Sequence, residues 1–532
     1  MFVGSAQGRC CLRLDELLED VASRQADRPA LLHGEETETY SELLARVNGL
    51  CSTLRGLGLR RGSRVAVILP NIPETLYTWF ALARLGGVMV PLNPALVPSE
   101  VEPLLRSLDI EGIIGEPISV AAYGERLGLR ARLVVGDDDV DGAIRFTAPP
   151  QPAPPSLPWK VSPEDPLTIL QSSGTTGQPK SAVLTQTSYV LPAQEFVRWM
   201  EAVPDDRFLG CLPLFHMAGQ AFAASAVAAG ASLALVSRFS AHHFWEQVRF
   251  HGITLTRHLG EMLALLCRLP EHPEDHRHSL RAVYGGGARP DVAEEFERRF
   301  GVPVVEGYGL TETNTVLRNE LRQRRRGSIG RPLPYGEVRI ADEQGNALPP
   351  CQIGEIQVRR NPVMTPGYLG PAELTAASIA GDWFRTGDLG YQDEQGYFYF
   401  AGRQKDLIRR RGENIYPGSI EKVLDRHPAV EASAVVGVPD EVGGEEVKAY
   451  IVCRSGACLT PEDLVAWCRP WLADFEIPRY VEICPELPRT ATNKINKGAL
   501  RLAGTASGLC YDRRAEGPAP FVMPASAIAS PV

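Results

Sequence analysis

Short apolar runs alternate with longer helical patterns in the first part of this chain, and that alternation limits the fold more than any other feature. Residues 64–69 (RVAVIL) are predicted to form a buried strand, residues 74–86 a helix and residues 88–92 (VMVPL) a second strand. Two strands joined through a helix pair in parallel, with a right-handed crossover. The sequence therefore predicts an α/β fold built on a parallel sheet.

The pattern changes in kind beyond about residue 337. Residues 337–340 and 354–359 alternate apolar and polar side chains with a period of two, and the aromatic run YFYF follows at residues 397–400. This pattern is typical of half-exposed antiparallel strands. Further on, residues 435–436 and 449–452 are predicted to be strands among helical stretches. We therefore expect βα-layered subdomains, then a small β-barrel-like segment, and finally a small α+β domain.

The composition excludes several classes of protein. The chain has 532 residues, of which 44% are apolar and 22% are charged, as in an ordinary globular protein of more than one domain. A net charge of −9 disfavours sequence-independent nucleic-acid binding, which needs clustered positive charge. The eleven cysteines include no Cys-x-x-Cys pair, and residues 1–20 lack the apolar stretch of a secretory signal. We expect free thiols and a cytoplasmic location.

The stretch of residues 217–236 contains no charged residue and has to be tested against a membrane span. Most of it is Ala, Gly and Ser, and Gly230 separates an Ala-rich helical pattern from a short Leu/Val run. A membrane helix requires about 20 predominantly apolar residues. We therefore predict a buried helix followed by a buried strand, and no membrane span.

The most informative segment is residues 171–180, QSSGTTGQPK. It follows a predicted strand and ends in Lys180, so that backbone N–H groups, hydroxyls and one positive charge can face phosphate oxygens. A Walker A loop would end in Gly-Lys-Ser/Thr, but Pro179 stands at the glycine position. A flexible Ser/Gly linker is the alternative, which the flanking apolar strands disfavour.

Three further clusters carry groups suited to a nucleotide. In EGYGLTE, Tyr308 offers a stacking face, and Thr311 and Glu312 could bind a metal-bound phosphate. In WFRTGD, Asp388 could bridge the two hydroxyls of a ribose. Lys494 ends the polar loop PRTATNK near the C-terminus. Each of these clusters, considered alone, also fits a solvated turn.

Together, at this order and spacing, these segments resemble the core motifs of the adenylate-forming superfamily, which includes acyl-CoA synthetases, luciferase-type enzymes and peptide-synthetase adenylation domains. The resemblance runs from about Leu14 to Arg501, through SSGTTGQPK, YGLTET, RTGDLGYQDEQGYFYFAGRQKDLI and PRTATNK. RRRGENIYPGSIE and PLFHMAG look most like the medium-chain, aryl and carnitine-type CoA ligases. The implied organisation is a large AMP-binding domain, a small mobile domain with the catalytic lysine, and a tail expected to be disordered, over residues 1–403, 404–503 and 504–532.

The resemblance also implies roles for individual residues. The implied catalytic residues are Lys494, Glu312, Thr311 and His216. Lys494 would contact the carboxylate of the acid and the α-phosphate of ATP, and Glu312, next to Thr311, would hold Mg²⁺. His216 would lie near the acid-binding pocket. The residues implied in binding ATP and CoA are Ser172, Ser173, Gly174, Thr175, Thr176, Gly177 and Lys180 at the phosphates; Gly286, Gly287, Ala288, Gly307, Tyr308 and Gly309 around the adenine; Asp388 and Arg403 at the ribose; Lys405 at the domain hinge; and Gly412 and Glu413 near the pantetheine tunnel.

The implied activity is the ATP- and Mg²⁺-dependent activation of an acid as its adenylate, with release of pyrophosphate, followed by transfer to the thiol of CoA. Two alternatives stay open. The same adenylation could serve a different acceptor or acid, as in carrier-protein loading, amide formation or nitrite-dependent diazotisation. The chain could also bind an adenylate without catalysing its formation.

Departures from the family pattern bear on the acceptor and on the acid. Ser181, Gln186, Ser419 and Asn493 stand where the family commonly has Gly, His, Glu and Gly, so the second half-reaction is less constrained than the first. His216 stands where amino-acid-activating relatives commonly have an Asp that pairs with the substrate ammonium. We therefore expect α-amino acids to be poor substrates.

Two charged stretches are interpreted as solvated loops. HPEDHRH, residues 272–278, brings three histidines near two acids, but no further metal ligand follows at a useful spacing. RQRRR, residues 322–326, could contact RNA or phosphate, yet a loop before a glycine turn explains it more simply.

Overall fold

The computed structural model of the chain describes residues 12–172, 180–410, 413–440, 444–489, 495–504 and 510–514, apart from the side chains of residues 260, 261 and 414. The chain forms two compact units. The large unit comprises residues 1–339, 357–386 and 392–399, and the small unit comprises residues 340–356, 387–391 and 400–532. The predicted fold class, a mixed α/β protein with a large N-terminal part and a smaller C-terminal part, is confirmed.

Helices cover the sheets of both units, and several begin or end at the residues that local chemistry favours. Thr39 accepts a hydrogen bond from the N–H of Glu42 and starts the second helix, while Gly230 and Gly252 end two others in the left-handed conformation. In the described residues the α-helices are α1 (Leu14–Arg24), α2 (Tyr40–Gly56), α3 (Pro73–Leu85), α4 (Pro98–Ser107), α5 (Pro117–Tyr123), α6 (Thr187–Trp199), α7 (Met217–Ala229), α8 (Ala241–His251), α9 (Gly260–Arg268), α10 (Pro290–Phe300), α11 (Ala372–Ala376), α12 (Pro417–Leu424), α13 (Pro461–Cys468) and α14 (Lys497–Ala503).

The first sheet of the large unit consists of β3 (Arg64–Ile68), β4 (Val88–Pro91), β5 (Gly112–Gly115), β6 (Ala131–Val134), β7 (Ile144–Arg145), β8 (Pro166–Ser172), β9 (Lys180–Thr185) and β19 (Tyr368–Leu369). Their spatial order is β19-β9-β8-β4-β3-β5-β6-β7. Strands β3 to β8 pair in parallel, with α3 between β3 and β4 as the sequence predicts. Strands β8 and β9 form an antiparallel hairpin at one side, and β19 pairs with β9.

The second sheet of the large unit consists of β1 (Pro29–His33), β2 (Glu36–Thr39), β10 (Arg207–Gly210), β11 (Ser232–Leu235), β12 (Leu255–Leu259), β13 (Ala282–Gly286), β14 (Val304–Leu310), β15 (Asn314–Arg318) and β16 (Arg331–Pro332). Their spatial order is β16-β15-β14-β13-β12-β10-β11-β1-β2. Strands β10 to β14 pair in parallel, so their carboxyl ends meet at one edge. Ligands of open α/β sheets bind at such an edge.

The predicted small β segment is a five-stranded sheet of β17 (Val338–Ala341), β18 (Gly354–Arg359), β20 (Ile379–Ala380), β21 (Trp383–Gln392) and β22 (Phe398–Arg403). The other strands are β23 (Ile408–Arg410), β24 (Glu413–Ile415), β25 (Val430–Pro439), β26 (Glu445–Cys453), β27 (Tyr480–Ile483) and β28 (Tyr511–Asp512). Strands β25 to β28 form a sheet in that order.

Two further predictions, for residues 217–236 and for the C-terminal segment, can be compared with the structure. The uncharged stretch 217–236 is a buried helix, α7, followed by a buried strand, β11, as predicted. The described part of the chain contains no helix long and apolar enough to cross a membrane. The expectation of disorder over residues 504–532 does not hold for residues 510–514, because β28 pairs with β27 and Arg479 donates to both carboxylate oxygens of Asp512 at 3.1 Å.

Candidate active site

Lys180 is the first residue of β9 in the β8–β9 hairpin. It is paired in register with Ser172, whose hydroxyl donates to the Lys180 carbonyl at 3.4 Å. Its ammonium lies 4.9 Å from the centre of the Tyr368 ring and donates to the Ser378 hydroxyl at 3.5 Å. Tyr368 reaches this place because β19 pairs with β9, with Tyr368 opposite Ala182. Five predicted phosphate-binding residues lie outside the described residues: Ser173, Gly174, Thr175, Thr176 and Gly177.

Glu312 is the acidic partner of the same cluster. The Tyr368 hydroxyl donates to its Oε1 at 2.9 Å, and the N–H of Thr365 donates to its backbone carbonyl at 2.8 Å. Burial and the charge of Glu312 raise the pKa of Tyr368, so that the phenol stays a hydrogen-bond donor. Oε2 of Glu312 accepts no hydrogen bond from the residues that the structure describes. Tyr368 therefore joins Lys180 to Glu312, and one carboxylate oxygen remains available to a ligand.

A tight turn between β14 and β15 positions Thr311 and Glu312. Asn314 adopts a φ of 58° there, and the N–H of Leu310 donates to the Thr313 hydroxyl at 3.0 Å. Gly309 has a structural role in this turn, since a Cβ at its position would meet the Asn314 carbonyl oxygen at 2.0 Å. Thr311 is partly exposed beside the buried Glu312. The turn thus requires its glycine independently of any ligand.

The loop after β13 is tied to β14 by Glu306. The N–H groups of Gly287 and Ala288 donate to its two carboxylate oxygens at 2.9 and 3.4 Å. Gly287 has a φ of 83°, in the left-handed region that favours glycine. Nε2 of the buried His258 lies 3.3 Å from Oε1 of Glu306. The predicted adenine-binding residues at the carboxyl ends of β13 and β14 are therefore held together.

The other predicted residues of this group lie in or beside the same two strands. Gly286 ends β13, and Tyr308 is partly exposed in β14. Gly307 packs closely, because a Cβ at its position would come within 3.0 Å of the Leu317 carbonyl oxygen and of the Tyr284 ring. From the sequence, these glycines are expected to let the ligand approach the backbone. In the structure, Gly307 is also required for the close packing of neighbouring strands.

Arg257, which the sequence motifs do not indicate, lies in β12 in register with Tyr284. Its guanidinium carbon is 5.1 Å from the centre of the Tyr284 ring, and Nη1 donates to the carbonyl of Ala218 at 3.1 Å. Its Nε is buried without a hydrogen-bond partner, and burial lowers the pKa of the guanidinium. The one sequence signal was a cation inside the short apolar strand LTRHL.

His216, the predicted neighbour of the acid pocket, immediately precedes α7 and has extended backbone angles. It is partly exposed, and its ring lies 4.7 Å from that of Phe215. Ala218, in the first turn of α7, is the residue that accepts the hydrogen bond from Arg257. His216 and Arg257 therefore both lie at the amino end of α7.

The small unit contains the remaining predicted residues. Asp388 is buried in β21, with its Oδ1 3.4 Å from Nε of Arg403. Lys405 lies in the 3-10 turn Gln404–Asp406, and its carbonyl accepts a hydrogen bond from Arg501 at 2.9 Å. Glu413 begins β24 and is exposed. Gly412 and Lys494 lie outside the described residues.

The two charged stretches set aside in the sequence have local partners. The His272 ring accepts from the N–H of Glu274 and begins a 3-10 turn. The arginines of residues 322–326 pair with surface acids, namely Arg322 with Glu201, Arg324 with Glu297, Arg325 with Asp393, and Arg326 with Glu294 and Glu297. The arginine stretch is thus charged surface, whereas the histidine stretch is partly packed against the protein: Asp275 pairs with the buried Arg299 at 2.7 Å, and the His278 ring stacks on Trp245.

Comparison with known proteins decides the family. The model of the AMP-binding enzyme family matches residues 18–369, and that of the AMP-binding enzyme C-terminal domain matches residues 419–494. The chain belongs to the AMP-binding enzyme family. The predicted membership of the adenylate-forming superfamily is thereby confirmed, and the protein is an adenylate-forming ligase.

Several members of this family are similar over nearly the whole chain. A crotonobetaine/carnitine–CoA ligase of Salmonella agona is 32% identical over 511 residues, which cover 92% of this chain and 98% of the relative. The ATP-bound structure of MatB from Rhodopseudomonas palustris is 28% identical, with a TM-score of 0.84, over 92% of this chain and 98% of that one. The amide bond synthetase McbA from Marinactinospora thermotolerans is 28% identical, with a TM-score of 0.82, over 92% and 99%.

Proposed function

We propose that this AMP-binding enzyme is an acid:CoA ligase. A carboxylate oxygen of the acid attacks the α-phosphorus of ATP and displaces pyrophosphate, and the thiol of CoA then attacks the acyl carbon and displaces AMP. The observation that carries the proposal is the cluster of Lys180, Tyr368 and Glu312 beside the carboxyl ends of the parallel strands. It combines a cation for the phosphates with a carboxylate for their metal ion.

The first step needs such groups because it brings two anions together. Negative charge grows on the phosphoryl oxygens in the transition state, and fixed positive charge and N–H donors lower its energy. The ammonium of Lys180 is held at the ring of Tyr368 and at the Ser378 hydroxyl, so it is oriented before ATP binds. We assign it to the β- and γ-phosphates together with Ser172 and with the loop residues Ser173, Gly174, Thr175, Thr176 and Gly177.

Glu312 fits a site for Mg²⁺. This ion is usually bound through one or two carboxylates plus the phosphates of the substrate. Tyr368 holds Oε1 of Glu312, and Oε2 has no donor among the described residues, so a single carboxylate oxygen can face the ion. Bound there, Mg²⁺ would neutralise charge on the phosphates. Thr311, partly exposed beside Glu312, is assigned to the same phosphates.

The other assignments follow the family pattern residue by residue. Gly286 to Ala288 and Gly307 to Gly309 form the adenine-binding wall, and the pair of Asp388 and Arg403 binds the ribose, since a carboxylate accepts two hydroxyl groups well. Lys494 contacts the reacting carboxylate and the α-phosphate in the first step. Lys405 serves as the hinge, and Gly412 and Glu413 line the path of CoA in the second step.

A screen of pyrophosphate release tests the function directly. The purified protein, with ATP and Mg²⁺, is offered fatty, aryl, dicarboxylic and amino acids and nitrite, each with and without CoA. The proposal predicts acid-dependent release of pyrophosphate and a thioester product when CoA is present. Binding of ATP without pyrophosphate release for any acid would instead identify a silent adenylate-binding protein.

The acceptor is read from the products of the same screen. A thioester with CoA supports the proposed ligase, to which the CoA ligase name of the Salmonella agona relative also points. An adenylate that reacts with added amines and not with CoA would identify an amide-forming enzyme, the activity in the name of McbA. Diazotisation of an aryl amine with nitrite as the substrate would identify the third alternative.

A further inference from the structure

Arg257 is a cation in the sheet whose hydrogen-bonding capacity is largely unused. A guanidinium carries five N–H donors. In the described part of the chain, Arg257 has two partners: its Nη1 donates a hydrogen bond to the carbonyl of Ala218, and its guanidinium lies at the Tyr284 ring. Its Nε is buried without a hydrogen-bond partner. No carboxylate of the described residues pairs with it. A desolvated charge without a counter-ion is strongly unfavourable unless a ligand supplies the missing partner.

The ionisable groups that the structure describes around Arg257 do not fill this gap. Glu306, on β14, already accepts from the N–H groups of Gly287 and Ala288 and lies next to His258. His216, at the amino end of α7, and His258, the next residue of β12, are not anionic. Among the side chains that the structure describes, the net charge around Arg257 is therefore positive, which suits an anion and not an ammonium group.

The position of Arg257 connects it to the predicted acid-binding pocket. Its side chain reaches the first turn of α7, directly after His216, and lies against Tyr284. Tyr284 in turn contacts Gly307 of the predicted adenine wall and exchanges a hydrogen bond with the Thr315 hydroxyl at 3.2 Å. An acid whose reacting carboxylate lies at the α-phosphate would extend towards this region.

We infer that Arg257 binds a second anionic group of the substrate, so that the preferred acids are dicarboxylic acids or other acids with a distal anion. The inference rests on the proposed acid:CoA ligase function and specifies its substrate class. A guanidinium pairs with a carboxylate through two parallel hydrogen bonds, which fixes both the distance and the orientation of the acid. The quaternary ammonium of carnitine, named for the Salmonella agona relative, would meet this cation and be repelled.

Matched acids and matched variants test the inference. Linear dicarboxylic acids of increasing length are compared with their monomethyl esters in the pyrophosphate-release assay, using the wild type, Arg257→Met and Arg257→Lys. The control is Arg339→Met, which removes another partly buried arginine that lies 3.9 Å from an aromatic ring, that of Trp383. Thermal unfolding of each variant shows whether it is folded.

The expected result is a change in selectivity. In the wild type, kcat/KM for the best diacid should exceed that for its monoester by on the order of 10- to 100-fold, as for a charge-assisted hydrogen-bonded pair. Arg257→Met should abolish this ratio mainly through KM of the diacid, Arg257→Lys should retain part of it, and Arg339→Met should leave it intact. The KM of ATP should be unchanged in all variants.

Three outcomes would overturn the inference, and only the third touches the proposed function. Equal losses for diacids and monoesters in a folded Arg257→Met protein would mean that Arg257 binds the reacting carboxylate or is only structural. An unchanged ratio would mean that the second anion lies elsewhere or that none is needed. If no acid of the whole screen, including the fatty and aryl acids and nitrite, releases pyrophosphate from the wild type, the proposed ligase function fails, and the inference fails with it.

Discussion

In the second sheet of the large unit, charged side chains at the amino ends of the parallel strands are paired with each other, whereas those near the carboxyl ends are only partly paired. At the amino ends, Asp206, Thr254 and Arg281 each directly precede one of the strands β10, β12 and β13. Arg281 donates to both carboxylate oxygens of Asp206 at 2.8 and 2.7 Å, and also to the carbonyls of Met200 and Glu201. Thr254 adds a third donor to Asp206 at 2.7 Å. The charges of Asp206 and Arg281 are thus matched by hydrogen bonds within the protein.

Near the carboxyl ends of the same strands, the charges are only partly matched. Arg257 has one hydrogen bond and an orphaned Nε, and Glu312 has one oxygen bound by Tyr368. The same sheet therefore carries a closed arginine–aspartate cluster at one end and open groups at the other. Satisfied charges contribute to stability, whereas open ones require a ligand, as expected where strands of an α/β sheet point into a binding site.

The largest effect is expected at the closed end. Arg281→Met would leave Asp206, which is nearly buried, without its cation, and breaking such a pair costs about 3–5 kcal/mol. Urea unfolding should show this loss, while kcat/KM of the remaining folded enzyme should change little. Wild-type stability with altered acid selectivity would reverse the roles that we assign to Arg281 and Arg257.

The pH dependence of unfolding sharpens the same contrast. Burial would raise the pKa of Asp206, but hydrogen bonds from Arg281, Thr254 and the N–H of Val203 lower it below its ordinary value. A carboxylate with a lowered pKa stabilises the fold above the pKa of the unfolded chain, about 4, and this contribution disappears as the pH falls through the folded pKa. We expect this acid-dependent part to be lost in Arg281→Met, which comparison of its unfolding curves with the wild type at neutral pH and at about pH 3 would measure.

Lys494→Ala should give the largest effect on catalysis. A well-placed cation at the reacting groups contributes roughly 3–4 kcal/mol, so adenylate formation should fall by on the order of 10²- to 10³-fold. Transfer of the acyl group from a supplied acyl adenylate to CoA should continue, because in the family the small domain removes this lysine from the site before the second step. Equal losses in both steps, with folding intact, would exclude the two-step rotation for this protein.

Glu312→Gln should have a smaller effect, confined to the phosphate and metal end. The substitution removes a charged metal ligand, whose interaction contributes about 1.5–3 kcal/mol, so adenylation should be roughly 10- to 100-fold slower. The Mg²⁺ concentration at half-maximal rate should rise. The ratio of diacid to monoester should not change, since Arg257 is intact. A changed ratio with an unaltered Mg²⁺ dependence would show that Glu312 contacts the acid.

Tyr368→Phe should have the smallest effect, because it removes one hydrogen bond and keeps the ring that lies beside Lys180. A net contribution of about 1 kcal/mol predicts a rate roughly five-fold lower at limiting Mg²⁺, with partial recovery at saturating Mg²⁺. A Mg²⁺ titration of this variant beside Glu312→Gln measures the difference. A loss as large as that of Glu312→Gln would mean that Tyr368 contacts the substrate itself.

Local sequence motifs predicted only some of the residues near the carboxyl ends of the parallel strands. Lys180 and Glu312 follow from SSGTTGQPK and YGLTET, because phosphate binding requires contiguous small, hydroxylic and charged residues. Tyr368 could not be predicted, since it reaches Lys180 through the pairing of β19 with β9, which are distant in sequence. Arg257 was missed for a related reason: whether a lone arginine in an apolar strand has an acidic partner depends on tertiary packing.

Packing also explains residues to which the motifs assigned a single role. Gly309 faces the Asn314 carbonyl within the β14–β15 turn, so its absent side chain is a requirement of the fold. Gln186, which replaces the histidine common in the family, is fully buried; it accepts from the N–H of Leu14 at 3.0 Å and donates to the Ala83 carbonyl at 2.8 Å. Sequence patterns identified these positions, and the contacts show what the side chains do there.

The most direct test of the account follows one oxygen atom. A substrate acid labelled with ¹⁸O in its reacting carboxylate is incubated with ATP, Mg²⁺ and CoA, and the AMP formed is examined by mass spectrometry. If the carboxylate attacks the α-phosphorus and the thiol later breaks the bond between acyl carbon and oxygen, each AMP carries one ¹⁸O atom. AMP without label, formed at the rate of thioester formation, would contradict an adenylate intermediate and with it the assignment of this site.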